Sequence, residues 1–256
     1  MKKIILLHLF CLGLIVSTFA QNVGLDNWFN KEISPKTGKP YHYMWSDSAW
    51  SGYSQWGKIF TGKGAKISHV DAPSEAALSS LQVYILVDPD TTTESKSPNY
   101  ISPKDIAVIA QWVKKGGVLM VLANDYKNCE FKCLNQLMAT FGMTFDYVSL
   151  HKVDKDKYDM GAFTALPQHP IFKDVKKIYL KEIASISLKK PVKAILTENG
   201  KTFMAESKYG KGLVIAVGDP WIYNEYIGHE RLPADFENMK AAENLSNYLL
   251  SKAKKK

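Results

Sequence analysis

Arginine is almost missing from this chain. Of 33 basic residues, Arg231 alone carries a guanidinium and the rest are lysine. The arginine and aromatic interleaving of nucleic-acid binders is therefore absent, and no nucleic-acid partner is expected. Cysteine is scarce as well, at three residues. Cys129 and Cys133, the two beyond the N-terminal segment, have no histidine cluster beside them, so neither a metal nor any other cofactor is expected. Beyond residue 20 no apolar stretch approaches about 18 residues, the length that reads as a membrane-spanning helix, so no integral membrane segment is expected after that point. The chain also lacks internal repeats and long linkers.

What is present begins with a leader. Lys2 and Lys3 precede an apolar run over residues 4–16, and Thr18, Phe19 and Ala20 offer small-residue cleavage chemistry before Gln21. This pattern predicts a secretory signal peptide over 1–20, a mature α/β domain over 21–256, and a periplasmic or secreted location. Phe10 stands before Cys11 where lipidation needs a small residue, which weighs against a lipid anchor. In an oxidising compartment Cys129 and Cys133, four residues apart on one helix face, suit either a local disulfide or a pair of semi-buried thiols. The net charge is +8, about +6 without the two leader lysines, which favours anionic partners such as acidic polysaccharides; a solvated lysine surface is the plainer alternative.

The interior reads as alternating strands and helices. Ser102, Pro103 and Asp105 open a helix over 102–115 whose apolar residues Ile106, Ile109, Ala110 and Val113 share one face, and Gly116 and Gly117 stop it. Unbroken apolar runs at 83–87 and 118–123 are what strands covered on both faces require. Further strands are expected at 41–45, 65–70 and 143–147, with helices over 52–60 and 131–141. From residue 175 onward, short strands (within 175–188, at 194–197 and at 202–207) and the Asn199–Gly200 hairpin signal lead into a strand at 213–217 and a last helix over 234–252. The expected fold is α/β: a mainly parallel sheet flanked by helices, flavodoxin-like or glutamine amidotransferase-like, with an antiparallel, hairpin-rich insertion in the second half.

Several of these segments together resemble a known family. The strand running into Asp88 and Pro89, the helix end from Trp112 into Gly116–Gly117 and the next strand, the His169–Pro170 turn, and the run from Tyr209 to Pro220 resemble class I glutamine amidotransferase-like domains, and among them exported ThuA-like proteins, over roughly residues 40–250. That resemblance implies a role in polysaccharide degradation. Specifically, it implies a hydro-lyase that dehydrates the terminal uronic acid of acidic, ulvan-like oligosaccharides to a 4,5-unsaturated uronate. A non-catalytic carbohydrate-binding accessory protein is the alternative. The amidotransferase nucleophile itself is missing: the strand ending at Ala123 is followed by Asn124 and Asp125 with no glycine-flanked cysteine, so glutamine hydrolysis is not expected.

Ligands of open α/β sheets bind beyond the carboxyl ends of the strands. Asp88, Asn124, Asp125 and Asp219, with Asp47 and Asp90, fall at such ends, where they could bind sugar hydroxyls or a metal, or equally cap the helices that follow. Trp221, Tyr223, Asn224 and Glu225 follow Asp219 directly. Rings there, and those of Trp45, Trp50, Tyr53 and Trp56, suit stacking on sugar faces or a place in the core. Dehydration of a uronate needs a base at C5, an acid at the C4 hydroxyl and a neutralising partner for the carboxylate. His151 and His229 are the candidate acid and base, and Arg231 the candidate carboxylate fork.

Overall fold

A computed structural model describes residues 20–228 and 231–253. The expected leader, apart from Ala20, lies outside the described residues, as do His229 and the terminal lysines 254–256. In chain order the elements are β1 (Asn22–Asp26), α1 (Ser54–Gly62), β2 (Lys66–Val70), α2 (Glu75–Ser79), β3 (Val83–Val87), α3 (Pro103–Lys115), β4 (Val118–Leu122) and α4 (Phe131–Thr140). There follow β5 (Met143–Phe145), β6 (Ala162–Phe163), β7 (Ile178–Tyr179), β8 (Ile186–Leu188), β9 (Lys193–Glu198), β10 (Lys201–Tyr209), β11 (Gly212–Val217), α5 (Asn224–Ile227) and α6 (Asn238–Lys252).

Seven strands form one sheet in the order β2-β1-β3-β4-β11-β10-β9. The first five are parallel, and β10 and β9 extend the sheet antiparallel from β11. The hairpin-rich half is thus an edge of the main sheet as well as an appendage to it: β5 with β8, and β6 with β7, make two small separate ladders. Asn199 and Gly200, at φ of 50° and 74°, turn the β9–β10 hairpin in the left-handed region that its tight loop requires.

Side chains alternate across the sheet, and the alternation sorts the core into two layers. Leu25, Ile85, Val87, Met120, Leu122, Ile215 and Val217 belong to one buried cluster, with Trp56 and Phe60 of α1 and Leu245 and Leu249 of α6. Tyr84, Leu86, Leu119, Val121, Val214 and Ala216 belong to the other, with residues of α2, α3 and α4. Strand runs apolar at every position follow from burial on both faces. The α3 start matches its sequence signal in detail: Ser102 and Asp105 form a reciprocal capping box with Pro103 at the first helical position.

Three expectations change. Residues 41–45 are a loop, because His42 and Tyr43 take φ of 60° and 48°, incompatible with a strand. The first strand is instead Asn22–Asp26, directly after the expected leader and inside the sheet between β2 and β3. Residues 143–147 contribute only the short β5, outside the main sheet. At the opposite end from the site described below, the Gln21 side-chain amide donates to the carbonyls of Leu250 (2.8 Å) and Ala253 (3.1 Å), tying the first strand to the last helix. Among the described residues no helix is long and apolar enough to cross a membrane.

Candidate functional site

The parallel strands run 2-1-3-4 and then β11, so the strand order reverses between β1 and β3, and the carboxyl ends of those strands frame the crevice where this topology places ligands. Asp26 closes β1, Asp88 follows β3, Asn124 and Asp125 follow β4, and Asp219 follows β11 by way of Gly218. Gly218 is required there by close approach, since a Cβ would stand 1.9 Å from the Ala184 carbonyl oxygen.

Asp26 is a structural acid. Its Oδ2 accepts from the backbone N–H groups of Phe29 (2.8 Å), Asn30 (3.0 Å) and Trp28 (3.3 Å), and its Oδ1 from the Tyr84 hydroxyl (2.7 Å). These bonds shape the loop leaving β1. Burial nevertheless outweighs them and pushes the carboxyl up to about 6. Asp90 has a similar task, accepting from Lys31 N–H (3.1 Å); burial, with the nearby charges of Glu32 and Glu94, pushes it up to about 7, and its Oδ1 has no partner.

Asp88 is the centre of the rim. Its φ of 39° places a non-glycine residue in the left-handed region at the end of a buried strand. Oδ2 accepts from the Tyr43 hydroxyl (2.8 Å) and the Asn124 amide (2.9 Å), whereas Oδ1 is buried without a partner. Burial first, then the negative charge of Glu94 and Glu32, holds the carboxyl well above its usual range. The Asn124 oxygen is taken by the Asp125 N–H (2.9 Å), and Asp125 accepts from the Asn128 amide (2.6 Å). Asp219 is also buried. It accepts from Lys181 N–H (3.1 Å), and burial raises its carboxyl well above the normal range despite the Lys181 charge.

Three phenols complete the wall. The rings of Tyr43, Tyr53 and Tyr223 lie 5.4–6.4 Å apart, and burial raises all three phenols well above their ordinary pKa. Tyr53 donates to the Pro220 carbonyl (2.8 Å). The rim is therefore a set of buried acids with raised pKa values, phenols and an amide, most of whose polar atoms bond within the protein, with Asp88 Oδ1 and Asp90 Oδ1 left without partners.

The other expected site residues go elsewhere. Trp221 is fully buried in the core, with its indole N–H unpartnered, and offers no face to a ligand. Asn224 is fully buried too: its amide donates to Asp47 O (3.0 Å), Ala49 O (2.7 Å) and Ser54 Oγ (3.1 Å), and its oxygen accepts from Gln55 N–H (2.9 Å). It is a clamp between α5 and the start of α1, and it occupies one of the amides there. Glu225 binds Arg231 at 3.0 Å, and the Arg231 guanidinium lies 4.0 Å from the centroid of the Trp50 ring. His151 stands at the β9–β10 end of the sheet, its Nε2 2.9 Å from Glu198 and its ring against Phe163. That is three to four strand spacings from β3, roughly 14–19 Å. His151 and Arg231 thus do not meet Asp88, and His229 lies outside the described residues.

Cys129 and Cys133 are free thiols. Cys129 precedes α4 instead of lying on it, so the expected shared helix face does not form. Trp45 and Trp56 are buried, each with its indole N–H bonded, to Ser68 O and Ser246 Oγ. His169 fixes its turn as its place before Pro170 suggests, its ring accepting from Ile171 N–H (3.3 Å). No group of three or more metal-ligating side chains is found among the described residues. Tyr43, the principal partner of Asp88, is absent from the sequence-based candidates; its signal was the Tyr–His–Tyr run at 41–43, read as a strand.

Fold and rim together define a flavodoxin-like α/β module with a cluster of buried polar side chains at its topological switch point. The chain belongs to the family described as a domain of unknown function, DUF4350, whose model matches residues 46–230. No curated protein matches it. Among solved structures it is similar to the mmIFT52 N-terminal domain at 13% identity and a TM-score of 0.67, covering 90% of this chain and 98% of that one. It is also similar to the cytoplasmic protein STM1381 from Salmonella typhimurium LT2 at 14% identity and 0.60, covering 91% and 100%. A putative ThuA-like protein from Bacteroides uniformis ATCC 8492 aligns at 11% identity and 0.48, covering 92% and 93%. At such identities the first two likenesses establish shared fold alone.

Proposed function

We propose that the rim binds carbohydrate and that the protein is a hydro-lyase, removing water from the terminal uronic acid of acidic, ulvan-like oligosaccharides to leave a 4,5-unsaturated uronate. The observation that carries this reading is the Asp88 carboxyl: buried, fixed on one oxygen by Tyr43 and Asn124, unpartnered on the other, and held by burial well above the usual carboxylate range. In the elimination a base takes the C5 proton, the C4–O bond breaks, and the departing hydroxyl takes a proton to leave as water. A carboxyl whose pKa burial raises holds its proton more tightly than a free one, and is suited to give it to that hydroxyl. Asp90, pushed up to about 7, has the pKa on this rim best matched to accepting the C5 proton. A protonated acid also donates a hydrogen bond to a substrate carboxylate where an ionised one would repel it. The leader-like start and the lysine-rich composition fit an exported protein that meets an anionic polymer.

The test is direct. Residues 21–256 are incubated with saturated uronate-terminated oligosaccharides, and the ultraviolet absorbance of the new conjugated double bond is followed with the loss of one water by mass. Asp88→Asn is expected to lower the rate about 100-fold or more, the range typical of a lost general acid. Wild-type protein that gives neither signal sinks the hydro-lyase reading. The engagement of Arg231 by Glu225 favours a second reading, an accessory protein that binds the same oligosaccharides without reaction. Binding by calorimetry without product assigns that role.

A further inference from the structure

Beside the rim lies an open cleft of about 700 Å³ whose walls include Pro35, Lys36, Tyr41, Trp50, Ser51 and Glu225. It shares its framework with the rim. Tyr41 lines the cleft while Tyr43, two residues on, bonds Asp88; Glu225 lines the cleft while Tyr223, two residues earlier, packs its ring 5.6 Å from that of Tyr43. One pair of chain segments therefore walls both spaces.

Trp50 is the unusual residue of this cleft. Its side chain is 55% exposed, although most large rings of the chain are buried. Exposure here is not looseness. The Trp50 carbonyl accepts from Glu225 N–H (3.0 Å), the adjacent Ala49 carbonyl accepts from the Asn224 amide (2.7 Å), and the adjacent Ser51 carbonyl accepts from Tyr43 N–H (3.0 Å). Arg231 stacks on the indole at 4.0 Å and is itself held by Glu225. A ring fixed in this way loses little conformational freedom when a ligand covers it. Its flat apolar face, set beside the hydrogen-bonding edge of Tyr41 and Glu225 and the Lys36 cation, is the combination that receives the apolar face, hydroxyls and anionic groups of a sugar.

We infer that this cleft is a distal subsite for the sugars next to the terminal one, with Trp50 as stacking platform, Lys36 as the counter-charge to acidic groups along the chain, and Arg231 as a positioning residue that sets the indole. The inference rests on the carbohydrate reading of the rim, and its test separates the two. Binding of a uronate-terminated disaccharide and tetrasaccharide is measured by calorimetry on wild type, Trp50→Ala, Trp50→Phe, Lys36→Gln and Asp88→Asn. Wild type is expected to bind the tetrasaccharide about tenfold more tightly than the disaccharide, the size of one well-placed aromatic contact.

In Trp50→Ala that ratio collapses to about one, while Trp50→Phe keeps part of it. Lys36→Gln lowers the ratio for the acidic tetrasaccharide and leaves that for a neutral one unchanged. Asp88→Asn weakens both lengths alike. A tenfold ratio that survives in Trp50→Ala, or a wild type with no length dependence, overturns the distal subsite and leaves the rim standing. Equal loss of both lengths in Trp50→Ala with an unchanged melting temperature also overturns it, by placing Trp50 at the terminal sugar. Failure of wild type to bind either saccharide overturns the subsite and the rim reading together.

Discussion

Asp90 shows how one carboxyl is set against the stability of its own fold. Its Oδ2 holds the Lys31 N–H, its Oδ1 meets nothing, and burial among Glu32 and Glu94 pushes it up to about 7. An acid with a raised folded-state pKa binds its proton more tightly folded than unfolded, so its contribution is full below about pH 4 and is lost as pH rises toward 7. A shift of about 3 units sets an upper limit of about 4 kcal/mol on that loss. Asp90→Asn keeps an oxygen for Lys31 and removes the charge. At pH 8 it is expected to stabilise the protein by about 1–3 kcal/mol, or roughly 2–4 °C per kcal/mol, with the gain reduced to less than half at pH 5 and gone below about pH 4. Melting curves at the two pH values measure this. On the proposed elimination the same variant also loses activity at both, since the amide cannot take the C5 proton.

At the scale of elements, α5 is a helix of one turn that depends on its first residue. Asn224 spends both polar atoms of its side chain on the loop before α1 and on the first turn of α1. Asn224→Ala leaves buried carbonyls and an N–H without partners, an expected cost of about 2–4 kcal/mol by urea denaturation, with weaker tetrasaccharide binding as Trp50 loses its backbone support. Elements bounded by local chemistry were legible in the sequence: the α3 capping box, the strands β3 and β4, and the Asn199–Gly200 turn each follow from residues within a few positions. Elements set by distant partners were not. The Tyr43 backbone is left-handed because its hydroxyl and N–H serve Asp88 and Ser51, and nothing local announces that. The run from Asp219 to Glu225 looked like a uniform binding segment. Burial divides it into a core tryptophan, a clamp and two rim groups, and burial is a property of the whole sheet. The position of the rim was readable from the strand ends, whereas the partners of its acids were not.

Across the whole molecule the raised carboxyls act together. Asp26, Asp88, Asp90, Glu94 and Asp219 are all shifted upward, chiefly by burial. Between about pH 4 and 7 the folded chain holds protons that the unfolded chain has released, so stability is expected to fall as pH rises through that window. Denaturant midpoints should be higher at pH 5 than at pH 8, opposite to the usual acid denaturation; a steady rise toward pH 8 would contradict the raised carboxyls of the rim. Buried acids thus make the rim least stable where they are closest to ionising. The far end of the sheet has a different consequence. Because the Gln21 amide grips the carbonyls of Leu250 and Ala253, the first strand and the last helix stand side by side, away from rim and cleft. A short peptide can splice residue 253 to residue 21, and new ends can open in the exposed turn at 62–64, where Gly62 and Gly64 have open space around them. The result is a circularly permuted chain that begins at β2 and finishes with α1, with the rim at the carboxyl ends of its strands unaltered.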